Sequence, residues 1–302
     1  MVCRANAILS CWLIVGIVAI QVPLRAQTLY QQAQAAVGRN QLDSAYDLAK
    51  RAADAEPNRA EAQFLYGNLA CAKAGRAGVF SAYGLARKCK AGLGRAVELA
   101  PDSLQYLEAL AGFLSQAPGI AGGDKDSAMK LAARVRERDE VAGSFLLASL
   151  WWPGNAASKA RADSVVAELA QSRLSEQSVQ LRVADWWART NRPERTLATY
   201  EGLAARAPRD AVARFFLGRQ LVLMKREPRR AQGHLRFAAE APAPDTAGKA
   251  AAFTPGAPWW RLGQSYEQLG MADSARHCFE EALRVNPQLD VARQSLDSLG
   301  RK

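Results

Sequence analysis

The 302-residue sequence predicts an all-α protein made of helical hairpins packed in series. Three observations carry this. Apolar residues recur at helical intervals along the chain, and no stretch alternates as a half-buried strand would. The dipeptide Asp-Ser recurs at Asp43, Asp126, Asp163 and Asp273, each time where a helix is expected to begin. An acid in a first helical turn is stabilised by the helix dipole, and Asp or Ser satisfies its free amides. Prolines at Pro57, Pro101, Pro208 and Pro287 then close successive segments.

The most regular stretch is Trp259-Trp260-Arg261-Leu262-Gly263-Gln264-Ser265-Tyr266, followed by Ala275, Phe279, Ala282 and Pro287. The order W-x2-L-G-x2-Y, A-x3-F-x2-A, P resembles the full signature of the tetratricopeptide repeat (TPR), a unit of about 34 residues folding as two antiparallel helices. Such a unit cannot bury its apolar face alone, so one good copy implies neighbours. The resemblance covers residues 28–300. It implies a TPR superhelix, an α-solenoid of about seven helix-turn-helix repeats with a C-terminal capping helix. The proline separations of 44, 107 and 79 residues overshoot one, three and two such periods, so three insertions interrupt the array.

The units follow in order. Unit one (27–58) has a first helix from Leu29 to Gly38 and a second carrying Ala45, Ala49 and Ala52. Unit two (59–102) carries Tyr66-Gly67, then Leu93 and Ala96, with extra residues between Gly75 and Lys88. Unit three (103–140) has Leu110-Ala111 and Leu114, then Ala128, Ala132 and Val135. Unit four (141–173) has Leu147-Ala148 and Trp151, then Ala162, Val166 and Leu169. Unit five (174–209) has Val183-Ala184 and Trp187, then Tyr200 and Pro208. Unit six (210–245) has Leu217-Gly218 and Leu221, then Ala231, Leu235 and Ala238. A spacer rich in Ala and Pro, Ala241 to Gly256, leads to unit seven (255–288). The last stretch, 289–302, places Leu289, Ala292, Leu296 and Leu299 on one side of a helix suited to cover the end of the stack. Gly67, Gly218 and Gly263 are expected where a neighbouring helix comes close. The segments Leu85–Lys88, Ala96–Pro101 and Gln116–Gly123 also resemble a group of uncharacterised exported bacterial TPR proteins.

The N-terminus has Arg4, an apolar run from Ala5 to Ile20, and Pro23-Leu24-Arg25-Ala26. This reads as a signal peptide, residues 1–26, with export to the bacterial periplasm. Its rival is a membrane anchor formed by residues 5–22. Without Arg4 and Arg25 the chain keeps 38 basic and 29 acidic side chains, a net charge of +9. The bases are spread along the chain, so a solvated surface is the plain reading, and an anionic envelope lipid or polymer is the alternative partner. No nucleic-acid partner is expected for an exported chain. Beyond the leader, Cys71, Cys89 and Cys278 remain. Cys89 suits a buried thiol, and an oxidising compartment would also permit a Cys71–Cys89 bridge.

Catalytic patterns are weak. Gly119 to Gly123 lacks the order of a phosphate-binding loop and no strand precedes it, so it reads as a sharp inter-helix turn leading to Asp124 or Asp126. Ser127-Ala128-Met129-Lys130 spells S-x-x-K without the partner motifs of penicillin-recognising enzymes. His234 and His277 are isolated, and neither a metal nor a cofactor pattern is present. The expected function is therefore non-catalytic protein binding, with an enzyme sited in the insertions as the remote alternative. The resemblance implies that first helices line a concave groove. It places Trp151, Trp187 and Trp259 in the core. It turns Trp152 and Trp260 toward the groove with Phe64, Asn68, Glu108, Asp185, Arg189, Phe215, Arg219, Gln264 and Glu267, unless the insertions or the end helix cover them. Phe64, Phe215 and Trp260 stand where chaperone-type repeats carry carboxylate-clamping lysines, so that activity is not implied.

Overall fold

The computed structural model describes residues 28–242 and 254–300, and all regular structure in them is helical. The expected leader at 1–26, its rival anchor at 5–22 and most of the 241–256 spacer lie outside the described residues. No described helix is long and apolar enough to cross a membrane. The chain divides into two compact units between Pro101 and Asp102.

The first unit contains α1 (Leu29–Gly38), α2 (Leu42–Ala55), α3 (Ala60–Ala74) and α4 (Val79–Leu99). Thr28 starts α1 with a capping box: its hydroxyl accepts from the Gln31 amide, and the Gln31 side chain accepts from the Thr28 amide. Ala33 and Ala36 of α1 and Ala45, Ala49 and Ala52 of α2 are fully buried. Small side chains here let the two helices lie close. The approach is closer still between α3 and α4. A Cβ added at Gly67 would lie 2.7 Å from the Leu93 nitrogen, and one at Gly92 would lie 2.7 Å from the Gly67 Cα. Backbone meets backbone there, so neither neighbour can yield by turning a side chain. We expect Gly92→Ala to cost about 1–3 kcal/mol through overpacking, read as a lower unfolding midpoint in denaturant; an unchanged midpoint would show that the helices part freely. Beside this contact Cys71 and Cys89 form a disulfide with Cα atoms 5.1 Å apart, so Cys89 is bridged rather than free. The extra residues after Gly75 form a turn to Gly78 and lengthen α4 at its start, giving 21 residues against 15 in α3.

The second unit begins with α5 (Leu104–Gln116), a short 3-10 turn (Gly119–Ala121) and α6 (Lys125–Arg138). It continues with α7 (Glu140–Trp151), α8 (Ala156–Ser172), α9 (Gln177–Arg189), α10 (Pro193–Arg206), α11 (Ala211–Leu223) and α12 (Pro228–Glu240). It ends with α13 (Ala257–Gln268), α14 (Ala272–Val285) and α15 (Asp290–Leu299). Successive helices pack as hairpins, and α15 lies on α14. The glycine-rich loop is the sharp turn expected. Gly122 has φ +96°, and the Asp124 carboxylate caps α6 by accepting from the Ser127 amide at 3.0 Å. A Cβ at Gly218 would lie 2.6 Å from Leu235 Cγ, and one at Gly263 would lie 2.5 Å from the Phe279 ring. The repeat signature thus marks the places where one helix presses into another.

The Asp-Ser pattern needs one correction. Asp43, Asp126 and Asp273 sit in first helical turns. Asp163 does not, because Asn155, eight residues earlier, caps α8 by accepting from the Ser158 amide. Asp163 instead takes the Arg192 guanidinium from α10 at 3.1 Å. An ion pair with the next hairpin replaces the capping role.

Candidate partner-binding face

Arg182, Asp185 and Arg189 recur at three- and four-residue steps on α9 and so share a face, while Val183, Ala184, Trp186 and Trp187 between them are buried. That face joins Glu108 of α5 and Ala142, Phe145, Leu146 and Ser149 of α7 around a cavity of about 230 Å³. The Arg182 guanidinium lies over the Phe145 ring, 4.4 Å from its centroid. Arg189 Nε donates to Asp185 Oδ2 at 2.9 Å, with both side chains well exposed. An exposed pair of this kind is worth little by itself, so a partner's charge can displace either member at small cost. The wall therefore offers an apolar floor flanked by two acids and two bases. Three residues expected at the groove, Glu108, Asp185 and Arg189, meet here.

A second cavity, of about 350 Å³, is lined by Val222, Leu223 and Lys225 at the end of α11 and by Arg261, Gln264, Glu267 and Gln268 of α13. Gln268 Nε2 donates to the Val222 carbonyl at 2.8 Å, which ties the two helices at its base. Arg261 lies 4.1 Å over the Trp260 ring centroid, and its Nη1 donates to Gln264 Oε1 at 2.8 Å. Burial and the neighbouring Arg219 push the Arg261 guanidinium down to about 10. It stays charged at neutral pH, and among the described residues neither Arg261 nor Arg219 is joined to a carboxylate. Gln264 and Glu267, both expected at a groove, line this cavity, with Arg219 acting on it electrostatically.

The aromatic candidates are placed differently. Phe215 is only 5 % exposed and lies edge-to-face on Phe216, with centroids 5.2 Å apart. It is a core residue, because α11 packs against α10, α12 and α13. Trp152 is half-buried edge-on against Trp186 at 5.6 Å, and Arg192 and Lys159 sit over its ring. Trp260 is also half-buried, and its Nε1 donates to Ser295 Oγ of α15 at 3.0 Å. The end helix thus covers one side of it. Phe64 and Asn68 lie half-buried on α3 in the first unit. Arg182, Lys225 and Arg261 were not among the residues expected at the groove. Arg261 had a signal, since it is the second of the two residues between Trp259 and Leu262 and shares their spacing.

Other chemistry finds no assembly. Ser127 Oγ donates to its own cap, Asp124 Oδ2, at 2.6 Å. His234 is half-buried 3.4 Å from an Arg214 nitrogen, and burial first, then Arg214, pushes its pKa down. Among the described residues no group of three or more His, Cys, Asp or Glu could hold a metal ion.

Residues 256–289 match the tetratricopeptide repeat family. No curated protein matches the chain by sequence. Among solved structures, a tetratricopeptide repeat protein from Parabacteroides merdae is 13 % identical with a TM-score of 0.46, over 91 % of this chain and 98 % of that one. A human IFIT1 dimer with m7Gppp-AAAA is 15 % identical with a TM-score of 0.48, over 90 % of this chain and 61 % of that one. A protective antigen of uropathogenic Escherichia coli with an SLR fold is 17 % identical with a TM-score of 0.41, over 90 % of this chain and 57 % of that one. The chain spans well under two thirds of the last two. The signature and the family match coincide on α13 and α14, so this hairpin is a tetratricopeptide repeat, and the other described elements are helical hairpins packed in the same succession.

Proposed function

We propose that this protein is an exported, non-catalytic scaffold that holds a peptide or protein segment against the first-helix face of its second unit. The tetratricopeptide fold is a protein-interaction scaffold in general. The observation that carries the finer reading is Arg261, a half-buried guanidinium beside Arg219, with no carboxylate joined to either among the described residues. A charge taken out of water without a counter-charge is unfavourable. An acidic side chain or terminal carboxylate of a partner relieves that cost through charge-assisted hydrogen bonds. Gln264 and Lys225 offer further donors at the same cavity. The apolar N-terminal run and the Cys71–Cys89 bridge support export, since disulfides persist in oxidising compartments.

The test is affinity capture from a native envelope fraction, followed by an array of acidic, neutral and basic peptides. Arg219→Gln with Arg261→Gln is expected to weaken capture and acidic-peptide binding by about tenfold or more. The melting temperature is expected to stay level or rise, because an uncompensated half-buried charge is removed. Equal retention of acidic and basic peptides by the parent protein would reject the reading. So would undiminished capture by the double variant.

A further inference from the structure

Among the described helices, α4 starts with the most exposed large apolar side chains. Val79 is 85 % exposed and Phe80 is 97 % exposed, with Tyr83 also at the surface. Such a group of apolar side chains in water marks an interaction site. It arises because α4 outruns α3, so its first turn has no partner helix to cover it. The same segment has an unusual charge. Residues 62–97 contain Lys73, Arg76, Arg87, Lys88, Lys90 and Arg95 and no acid. Lys73 is matched by Asp43 at 2.7 Å and Arg95 by Glu98 at 3.0 Å. Arg87, Lys88 and Lys90 are exposed and make no ion pair among the described residues. On a helix, Phe80, Tyr83, Arg87 and Lys90 follow three- and four-residue steps, so aromatic tip and bases share one outward face. The adjoining face, Ala86, Cys89, Leu93 and Ala96, is buried, and α4 packs on α3.

We propose that this face of α4 docks on an anionic lipid bilayer, with Val79 and Phe80 entering the headgroup region and the bases meeting the anionic lipids. Amphipathic helices with aromatic and aliphatic residues beside Lys and Arg bind bilayers in this manner. A second copy of the chain is a poorer occupant, because two such faces would bring like charges together. A soluble polyanion would use the bases and leave Val79 and Phe80 in water. The site lies in the first unit, the cavities of the proposed function are in the second, and the inference does not depend on that reading.

The experiment uses the full chain with Phe80→Trp and vesicles of brominated phosphatidylglycerol or brominated phosphatidylcholine. Emission is compared with that of the parent protein, so only the added indole is read. It reports the depth of this turn whether or not another segment also holds the chain on the vesicle. The expected result is blue-shifted emission, quenched on phosphatidylglycerol and not on phosphatidylcholine. Adding Arg87→Glu and Lys90→Glu should lower the partition constant for phosphatidylglycerol vesicles, read from the titration of quenching against lipid, by at least about fivefold for each base removed. The helical circular dichroism should not change, because these side chains are exposed. Emission that stays unquenched on phosphatidylglycerol overturns the proposal. Equal quenching on both lipids does so too, as does indifference to the charge reversals. A blue shift without vesicles that grows with protein concentration would show self-association instead.

Discussion

Phe279→Ala is expected to reduce the stability of the C-terminal hairpin by about 3–5 kcal/mol. Phe279 is fully buried on α14, and its ring lies where a Cβ at Gly263 would come within 2.5 Å. The glycine has no side chain to move into the space that truncation leaves. The loss therefore combines the ring's transfer free energy with an unfilled cavity. Repeat arrays hold each unit mainly through its nearest neighbours. The effect should thus appear as faster amide hydrogen exchange in α13, α14 and α15 before α5 or α6 responds. A uniform change across the chain, or a loss under about 1 kcal/mol, would show that this contact does not govern the hairpin.

Reduction of the Cys71–Cys89 bridge is expected to cost about 3 kcal/mol, because it closes a loop of 18 residues in the unfolded chain. The measurement is thermal unfolding and hydrogen exchange of the first unit with and without a thiol reductant. Cys71→Ser with Cys89→Ser should reproduce the reduced behaviour. Cys278 provides an internal control. Burial pushes its thiol up to about 11, so it should resist oxidants and alkylation while the protein is folded. Protection in α3 and α4 that is indifferent to reductant would show that the Gly67–Gly92 contact alone sets the stability of this pair.

The helical fold was legible in the sequence because a tetratricopeptide hairpin is specified over short distances. Gly263 and Phe279 stand sixteen positions apart, and their contact follows from two antiparallel helices and one turn. The glycine-rich turn at Gly119 to Gly123 was legible for the same reason, since Asp124 caps a helix within the next turn. The Asp163 reading failed because a competing cap, Asn155, started the helix eight residues earlier and left Asp163 in its interior.

The candidate site was only partly legible. Spacing identifies which side of a single helix is apolar or polar, and three of the residues it turned toward a groove, Glu108, Asp185 and Arg189, line one cavity. It does not identify what lies against that side. Phe215 went to the core because three helices surround α11, and Trp260 met Ser295 because α15 reaches over it. Arg261 gained its character from Arg219, forty-two residues earlier on another helix. Phe80 is exposed because α4 outruns its partner, a mismatch of lengths that no motif records. The sequence by itself determined the helices, their hairpin pairing and the glycines where they touch, since these depend on local spacing. Only the tertiary structure decided which side chains were covered, which charges were left uncompensated and whether Cys71 met Cys89. Those outcomes depend on the neighbours that each face acquires when the hairpins stack.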